Sequence, residues 1–377
     1  MMRSPVRMTT ALMQAALLLV LAACGASPSA NAQQGSGGDR PFKVTGVANF
    51  DTPWAMSFLP GSGVPLTNMA LVSERDGRLW LVDVRTGARQ AVAGLPKVAV
   101  GGQGGLGDVV ASPDFAGSRR IYLTFAEAGT GGTKGAALGY GTLELGQGQP
   151  RLVGFKVIWR QQPKVSGNVH YSHRIAFAPD GTIFLSSGER FQFDPAQDPR
   201  VDLGKIIHLT AEGQPIGGRF YTLGHRNVLG LAFAPDGRLW ATEMGPRGGD
   251  ELNLLEKRKN YGWPEASYGS HYGGTPIPDE HAPRGFAEPK LWWNPSISPA
   301  GLIIYSGDRF PEWKGDAIFG ALSGRALVRA DLNGANARKA EQWDMGARIR
   351  EVEQGPNGDI YVLEDEGRLL RLDPAAR

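Results

Sequence analysis

The chain has 377 residues, with 40 lysines and arginines against 37 aspartates and glutamates, so its formal net charge is +3 at pH 7. A charge this close to balance excludes the broad basic surface of a nucleic-acid-binding domain. The single cysteine, Cys24, excludes a disulfide within the chain. The 53 glycines, together with the lack of a long amphipathic helical pattern, predict an all-β fold that is dense in turns.

The amino terminus has the organisation of an export signal. Two arginines in the first seven residues precede an apolar stretch over residues 11–23, which is too short for a comfortable transmembrane span and has no later counterpart. Leu-Ala-Ala-Cys24 resembles the lipobox of bacterial lipoproteins. We therefore predict a lipoprotein signal peptide over residues 1–23 and a periplasmic protein attached to the outer membrane only through a lipid on Cys24. Cleavage after Ala32, which would free the protein into the periplasm, is a second possibility.

Residues 24–40 are rich in Gly, Ser, Ala, Asn and Gln and have little to bury, which predicts a flexible tether. Removal of the leader takes away two arginines and no acid, so the formal charge falls from +3 to about +1. The folded domain is predicted to span residues 41–377.

Six copies of one pattern, a strand followed by a turn and a second strand, succeed one another along the domain. The two clearest copies start at Ile175 and Leu231, and both contain Ala-Phe-Ala-Pro-Asp-Gly between apolar strands. The prolines that mark the six copies are Pro60, Pro113, Pro179, Pro235, Pro299 and Pro356, spaced 53 to 66 residues apart. A unit of this length holds about four short strands, which predicts a six-bladed β-propeller of four-stranded antiparallel blades.

Propellers place functional groups where inner strands and their loops face the central channel. His170 stands just before the third copy of the strand, although a loop histidine by itself is more often structural. The glycine-rich segment 101–107 is not followed by Lys-Ser/Thr, so it is not a phosphate-binding loop. Its glycines would let the backbone approach a flat ligand, with Gln103 as the polar contact, while a plain flexible loop is an equal alternative.

Several arginines stand at comparable positions. Arg226 and Asn227 come immediately before the fourth copy of the strand. Arg348 and Arg350 flank Ile349, so they share one face of a strand, where two guanidinium groups favour an anion. For any one arginine a solvated face with salt bridges is the simpler interpretation, but the set as a whole favours an anion site.

Residues 242–251, followed by residues 260–264, combine acidic side chains with the turn Gly245-Pro246. Carboxylates and turn carbonyls are hard oxygen donors, which suit calcium. No spacing of cysteines and histidines indicates zinc.

Taken in order, these motifs resemble the glucose/sorbosone dehydrogenase family, the soluble aldose sugar dehydrogenases that use pyrroloquinoline quinone (PQQ). The motifs are Gly-Gly-Gln103-Gly-Gly, His170-x-x-x-Arg174, Gly-His-Arg226-Asn227, Glu-x-Gly245-Pro246-x-x-Gly-Asp250-Glu251, Asn-Tyr261-Gly-Trp-Pro and Arg348-x-Arg350. The match runs from about Phe50 to the carboxyl terminus, and the family's six-bladed propeller agrees with the repeat count. The resemblance implies oxidation of aldose sugars at C1 to lactones, with electrons passed to a quinone, a cytochrome or a dye.

The resemblance also implies roles for individual residues. His170 would take the C1 hydroxyl proton while the hydride passes to C5 of PQQ, and Glu189 would orient His170. Arg226 would stabilise the negative charge that develops on the quinone oxygen. The residues implied to hold PQQ are Gln103, Arg226, Asn227, Arg348 and Arg350. The residues implied to bind calcium are Gly245 and Pro246 through their carbonyls, with Glu251, Tyr261 and the supporting acid Asp250 at an additional site.

Three positions depart from the family pattern. His173 stands where the family usually has glycine, so it could crowd the substrate or offer a second base. Glu189 stands where the family often has aspartate. Ser323 stands where glucose-oxidising members have a PQQ-binding lysine, and Arg325 is a candidate to compensate. The chain also lacks the long insertions of the dimeric glucose dehydrogenases, which favours the compact, broadly specific aldose type. A monomer is expected, although the lack of insertions leaves the oligomeric state open.

Two other classes of function stay open on the sequence. One is a non-catalytic propeller that binds a glycan or a protein through the same channel, an alternative that rests on Ser323. The other is a calcium-dependent lactonase-type hydrolase, which needs channel acids from several blades. The channel candidates named above are mostly arginine, asparagine and glutamine, which disfavours the hydrolase.

Overall fold

A computed structural model describes residues 40–60 and 66–375, which form six four-stranded antiparallel sheets. The sheets are the blades of a propeller, so the predicted fold class is confirmed. The predicted signal peptide, the lipid-bearing Cys24, the alternative cleavage after Ala32 and the tether up to residue 39 lie outside the described residues. Within the described part of the chain, no helix has the length and apolarity that crossing a membrane requires.

The strands are numbered in chain order, and each blade is given from its inner to its outer strand. Blade 6 takes its outermost strand from the start of the domain, β1 (Phe42–Asn49). Blade 1 consists of β2 (Pro53–Phe58), β3 (Met69–Glu74), β4 (Leu79–Asp83) and β5 (Arg89–Ala91). Blade 2 consists of β6 (Leu106–Ala111), β7 (Arg120–Ala128), β8 (Lys134–Glu144) and β9 (Arg151–Arg160). Blade 3 consists of β10 (Ser172–Phe177), β11 (Ile183–Ser187), β12 (Lys205–Leu209) and β13 (Thr222–Leu223).

The second half of the ring continues in the same way, with one small addition. Blade 4 consists of β14 (Val228–Phe233), β15 (Leu239–Glu243), β17 (Asp250–Leu255) and β19 (Leu291–Trp293), and it carries a two-stranded ribbon of β16 (Arg247–Gly248) and β18 (Gly269–Ser270). Blade 5 consists of β20 (Pro299–Ile304), β21 (Ala317–Ala321), β22 (Ala326–Asn333) and β23 (Asn336–Asp344). Blade 6 consists of β24 (Ile349–Gln354), β25 (Ile360–Glu364), β26 (Arg368–Pro374) and β1. Helical segments are short: α1 (Phe115–Ser118) and the 3-10 turns Thr130–Gly132, Asp194–Ala196, Ala282–Arg284 and Pro311–Trp313.

The two ends of the domain close the ring. Strand β1 pairs antiparallel with β26, with Val44 opposite Leu372, so the first strand of the chain completes the last blade. Closure in this way leaves the inner strands β2, β6, β10, β14, β20 and β24 side by side around the channel. It also stops the blades from splaying apart, which protects their edges.

The apolar core lies between the blades. Six clusters of buried side chains lie mainly between pairs of neighbouring blades, and the cluster between blades 1 and 2 also contains Leu229 of blade 4. In β11, Ile183 and Leu185 pack with Leu138 of blade 2, whereas Phe184 between them packs with Leu239 of blade 4. Since successive side chains of a strand point to opposite faces, both faces of a blade are buried, and its strands are apolar at nearly every position.

The repeat pattern agrees with the blades at five of its six positions. Five of the marker prolines follow the inner strand of their own blade: Pro60, Pro113, Pro179, Pro235 and Pro356. Pro299 instead begins β20, the inner strand of blade 5. Blade 5 has no Pro-Asp-Gly turn after this strand; a longer loop with the 3-10 turn Pro311–Trp313 takes its place. The count of six was correct, but the fifth copy was displaced by about one strand.

Candidate active site

One cavity of about 250 Å³ collects side chains from the inner strands and loops of all six blades. The predicted residues that line it together are Gln103, His170, Arg226, Asn227, Gly245, Pro246, Arg348 and Arg350. Further lining residues include Trp54, Arg75, Tyr171, His173, Met244 and Tyr272. The structure therefore brings together, from distant parts of the chain, most of the residues that the sequence grouped by resemblance.

His170 is held as a neutral imidazole with a fixed orientation. It stands directly before β10, it is buried, and its Nδ1 lies 2.6 Å from Oε1 of Glu189. The other oxygen of Glu189 accepts a hydrogen bond from the backbone N–H of Phe193 at 2.8 Å. Burial lowers the pKa of His170 below its usual 6.5, although the hydrogen bond that its ring donates to Glu189 acts in the opposite direction. Because Nδ1 is engaged, Nε2 is the nitrogen that can accept a proton from a group in the cavity.

The backbone around His170 is strained. His170, Ser172 and His173 have φ angles of 51°, 64° and 75°, a left-handed conformation that costs non-glycine residues about 1–3 kcal/mol each. Side chains from neighbouring blades hold it: Oε1 of Gln103 accepts the N–H of His170 at 2.8 Å, and Oδ1 of Asn227 accepts the N–H of Ser172 at 3.2 Å. Gln103 and Asn227 thus position the histidine segment, and strain that is maintained in this way is typical of functional sites.

The glycine-rich segment supports the same wall of the cavity. A side-chain carbon at Gly105 would lie 1.8 Å from the carbonyl oxygen of Arg75, and one at Gly102 would lie 2.7 Å from that of Asn168. The glycines therefore permit close contact with the protein's own backbone, where the sequence had suggested contact with a ligand. This packing presents Gln103 to His170.

Arg226 uses only some of its N–H donors in hydrogen bonds to the described residues. Its Nη1 donates to the carbonyls of Met244 at 3.1 Å and Gly245 at 2.8 Å, and its Nη2 donates to the hydroxyl of Tyr272 at 2.9 Å. Its Nε is buried and has no hydrogen-bond partner among the described residues. An unsatisfied guanidinium N–H in a cavity wall is a ready partner for an anion.

Arg348 and Arg350 share one carboxylate. Arg348 Nε lies 3.0 Å from one oxygen of Asp365, and Arg350 Nη2 lies 2.7 Å from the other. Both interpretations made from the sequence therefore apply. The two arginines form salt bridges, and they also line the cavity, where they can meet an anion. Two positive charges against one carboxylate leave the pair with a net positive charge.

Arg75, which follows β3, is a cavity residue that the sequence analysis did not single out. Its Nη1 donates to the carbonyl of Gly102 at 3.3 Å, and its Nε is buried without a partner among the described residues. Burial lowers the pKa of Arg350, and repulsion from Arg75 and Arg348 adds to this effect against the attraction of Asp365. With Arg75, four arginines and no acidic residue line the cavity in the described part of the chain, so its wall favours a polyanion.

Ser323 and Arg325 are not among the lining residues. The hydroxyl of Ser323 lies 2.8 Å from that of Ser298 and donates to the carbonyl of Ser296 at 3.2 Å. The guanidinium of Arg325 donates to the carbonyl of Gly346. The structure thus does not place Arg325 where it could compensate for the missing lysine.

His173 is part of the wall. Its ring stacks on Tyr171 with centroids 5.2 Å apart and meets Trp54 edge-on at 5.9 Å. Both ring nitrogens are buried and have no partner among the described residues. Burial, with repulsion from Arg190 and Arg174, lowers the pKa of His173 to about 3. A ring that is so difficult to protonate is a weak base, which argues against a second base at this position.

Glu251 and Tyr261, expected to bind calcium at the additional site, line a small void of about 10 Å³, whereas the supporting acid Asp250 does not. Glu251 lies opposite Glu243 across β17 and β15, and both are buried. Burial raises the pKa of Glu251 well above its usual value, and the Glu243 carboxylate raises it further. The hydroxyl of Tyr261 donates to the carbonyl of Leu254 at 2.5 Å, which leaves the Tyr261 carbonyl as its remaining ligand. Two adjacent buried carboxylates favour a cation between them.

Asp250 and the Gly245-Pro246 turn form a separate arrangement. The Asp250 carboxylate accepts the backbone N–H groups of Gly245, Ile297 and Ser298 at 2.6 to 2.8 Å, so it shapes the turn. No three acidic, histidine or cysteine side chains of the described residues converge as a metal site, so any calcium ion here must also use carbonyl ligands. The Gly245 carbonyl accepts a hydrogen bond from Arg226, so a calcium ion on that oxygen would use its second lone pair.

The channel also contains acids that the sequence analysis did not anticipate. Glu351 on β24 contacts Nη1 of Arg174 on β10, and Asp108 on β6 lies 3.5 Å from the same nitrogen. Asp108 also accepts the N–H of Ile175 at 2.8 Å. The guanidinium carbon of Arg174 lies 4.3 Å from the centroid of the Trp54 ring. Trp54 lines the cavity, whereas Arg174 does not. Because these acids are paired internally, they give the hydrolase alternative no metal site.

Comparison with known proteins agrees with this geometry. The family model described as "Glucose / Sorbosone dehydrogenase" matches residues 50–371. Aldose sugar dehydrogenase YliI of Escherichia coli K12 is 37% identical over 342 residues, which cover 86% of this chain and 90% of that protein. The apo structure of the soluble aldose sugar dehydrogenase from E. coli superimposes with a TM-score of 0.83 at 36% identity, covering 89% of this chain and 100% of that one. The PQQ-bound aldose sugar dehydrogenase from Streptomyces coelicolor gives 0.73 at 27% identity, covering 88% and 98%.

Proposed function

Since this chain belongs to the glucose/sorbosone dehydrogenase family and is an oxidoreductase of sugar CH–OH groups, we propose that it oxidises aldoses at C1 to lactones with PQQ as its cofactor. The observation that carries the proposal is the cavity itself, in which a buried His170–Glu189 pair faces a wall of four arginines without an acid. PQQ is a flat tricarboxylate, and a solved relative holds it. The positive charge of the cavity wall suits such a molecule.

The cavity residues fit the cofactor in their hydrogen-bonding capacity. Arg75 and Arg226 each have a buried Nε without a partner among the described residues, and a carboxylate or quinone oxygen would satisfy it. The residues that would hold PQQ are Gln103, Arg226, Asn227, Arg348 and Arg350, to which we add Arg75. When bound, PQQ supplies the two-electron acceptor for the hydride that leaves C1 of the sugar.

The chain's own residues perform the proton transfer. Nε2 of His170 takes the proton of the C1 hydroxyl, because Nδ1 is held by Glu189 and burial keeps the ring neutral. Glu189 fixes the tautomer and stabilises the imidazolium that forms when the proton arrives. Arg226, in the same wall, stabilises negative charge on the oxygen that faces it. The strained segment from His170 to His173 keeps this geometry in place before the substrate binds.

We further propose that calcium supports the site. The Glu251 carboxylate and the Tyr261 carbonyl would bind one ion in the void beside Glu243, where a positive charge relieves the repulsion between two buried acids. The carbonyls of Gly245 and Pro246 would bind the ion that polarises the cofactor, with Asp250 as the supporting acid that shapes their turn.

The test is reconstitution. The protein is titrated with PQQ, with and without calcium, while binding is followed by difference absorbance, and it is then assayed with aldoses, sorbosone and aldehydes by bleaching of dichlorophenolindophenol. We expect saturable binding and dye reduction with aldoses. A lack of binding at micromolar PQQ would contradict the proposal and favour a non-catalytic propeller that binds a glycan or protein.

The site of action is proposed from the sequence. The basic, apolar and Leu-Ala-Ala-Cys24 segments support export to the periplasm and lipid attachment at Cys24. We further propose that the propeller acts as a monomer and passes its electrons to a quinone or a cytochrome. Labelling of cells with radioactive palmitate is expected to mark the parent protein and to miss a Cys24→Ala variant. Equal labelling of both would refute lipid attachment at this residue.

A further inference from the structure

Arg174 ends the motif His170-x-x-x-Arg174, but the proton transfer described above gives it no part. It lies on β10, it is buried, and it does not line the cavity. Its guanidinium nevertheless contacts two residues that do. Nε donates to the carbonyl of Leu229 at 2.6 Å, and the guanidinium carbon lies 4.3 Å from the centroid of the Trp54 ring. Arg174 therefore supports the cavity wall without reaching the cavity.

The inner strands of all six blades meet at this guanidinium. The two contacts above come from β14 and β2, and Arg174 itself belongs to β10. Nη1 donates to Glu351 on β24 and lies 3.5 Å from Asp108 on β6. The remaining inner strand, β20, makes room for the ion pair, because a side-chain carbon at Gly301 would lie 2.1 Å from Oε1 of Glu351. One side chain thus joins the blades around the channel.

The residues that Arg174 contacts are close in the sequence to residues that line the cavity. Arg174 itself stands four residues after the base His170. In three other blades, the contact residue and the nearby cavity residues are Asp108 with Gln103, Leu229 with Arg226 and Asn227, and Glu351 with Arg350. The longest of these separations is the five residues from Gln103 to Asp108. A displacement of the guanidinium would therefore reach the base and the residues expected to hold the cofactor.

The contacts require the shape of a guanidinium as well as its charge. Burial raises the pKa of Glu351 to about 7, and the positive charge of Arg174 opposes this rise. Any cation would do the same. Only a planar fork, however, donates along its edge in two directions while its face covers an aromatic ring. A lysine would keep the charge beside Glu351 but would lose the hydrogen bond to Leu229 and the contact with Trp54.

We propose that Arg174 is a positioning residue, which fixes the base His170 in blade 3 relative to the cofactor-holding groups of blades 2, 4 and 6. The inference rests on the proposed function for the roles of these groups. Two hydrogen bonds between blades depend on this alignment: Gln103 accepts the N–H of His170 at 2.8 Å, and Asn227 accepts that of Ser172 at 3.2 Å. Alignment matters to the reaction, because a displacement of about 1 Å can cost about 10²-fold in rate.

Hydrogen–deuterium exchange of the full-length, cofactor-free protein tests the alignment directly. In Arg174→Lys, the amides of His170 and Ser172 should exchange about tenfold faster, because their hydrogen bonds to neighbouring blades open more often. Arg329→Lys is the matched control, since Arg329 pairs with Asp316 inside blade 5 and does not line the cavity. It should leave both amides unchanged. Unchanged exchange in Arg174→Lys, or equal acceleration in the two variants, would overturn the proposal.

A second variant separates positioning from stability. Arg174→Met/Glu351→Leu replaces the buried pair with apolar side chains, a change that proteins often tolerate without loss of stability. Its Tm should lie near the parent's, while the amides of His170 and Ser172 should again exchange faster than in the parent. A double variant with the parent's exchange rates would show that apolar packing serves equally well, and the proposal would be wrong.

PQQ binding and kinetics give the arm that depends on the proposed function. Arg174→Lys should raise the Kd for PQQ about tenfold and lower kcat about 10- to 100-fold, while KM for the aldose stays within about threefold. Arg329→Lys should leave all three near the parent's values. A Kd and a kcat of Arg174→Lys equal to the parent's would contradict the positioning role. If the parent itself binds no PQQ, the proposed function fails, and the exchange rates alone decide whether Arg174 aligns the blades.

Discussion

Replacement of Arg75 by glutamine should weaken PQQ binding while leaving the fold intact. In the structure its guanidinium donates to the carbonyl of Gly102 at 3.3 Å, a long hydrogen bond, so little is lost in the cofactor-free protein. Its Nε is buried without a partner among the described residues, and it faces no acid in the cavity wall. A hydrogen bond between a guanidinium and a carboxylate contributes about 1.5–3 kcal/mol. Its loss therefore raises the Kd for PQQ roughly 10- to 150-fold.

Titration by difference absorbance at fixed calcium measures this effect. Arg325→Gln is the matched control, because that guanidinium lies on the carbonyl of Gly346 and does not line the cavity. A Kd for Arg75→Gln within about twofold of the parent, or a larger loss for Arg325→Gln, would refute the assignment of Arg75 as a PQQ anchor.

Three further variants test separate features of the site. Glu189→Gln removes the carboxylate charge that raises the pKa of His170, so kcat should fall about 10- to 100-fold and the acid limb of the pH–rate profile should move to lower pH; an unchanged profile would contradict this role. His173→Phe removes a buried histidine whose folded pKa is about 3 and whose unfolded value is 6.5. As the pH falls from 6.5 towards 3, this histidine takes up a proton in the unfolded chain but not in the folded one, which destabilises the parent. The free energy of unfolding of the variant, measured in urea, should therefore rise relative to the parent's by about 1.4 kcal/mol per pH unit in this range. A difference that does not change with pH would argue against the buried, neutral His173. Glu251→Gln should abolish the rise in Tm that calcium gives the parent. In the presence of EGTA the variant should have a higher Tm than the parent, because the repulsion between the carboxylates of Glu251 and Glu243 is gone. A rise in Tm with calcium equal to the parent's would be inconsistent with the site.

The architecture could be predicted from the sequence because the blades repeat one pattern, an apolar strand followed by a turn and a second strand. The marker prolines of successive copies are 53 to 66 residues apart, and this spacing is enough to count the blades. The fifth copy was placed incorrectly. The residues around Pro299 resemble those around the other marker prolines, but Pro299 begins the inner strand β20, and a longer loop follows this strand in place of the usual turn. Local patterns therefore gave the number of blades but not every boundary.

The site was only partly predictable, because its partners come from different blades. His170 and Arg226 were marked by their position before inner strands, whereas Arg75 follows a second strand in a stretch that resembles an ordinary turn. Nothing in the sequence connects Arg348 and Arg350 with Asp365, since that pairing depends on the path of the chain through blade 6. Likewise, the engagement of Asp250 by three backbone amides is a property of packing.

We propose that the cavity binds PQQ and that His170 takes the proton of the sugar's C1 hydroxyl. The most direct test compares His170→Ala and His170→Gln with the parent, in PQQ titrations by difference absorbance and in dye-linked assays with aldoses. We expect both variants to bind PQQ with nearly the parent's affinity while kcat falls by about 10²- to 10⁴-fold. A His170→Ala protein that binds PQQ and retains the parent's kcat would show that His170 is not the base.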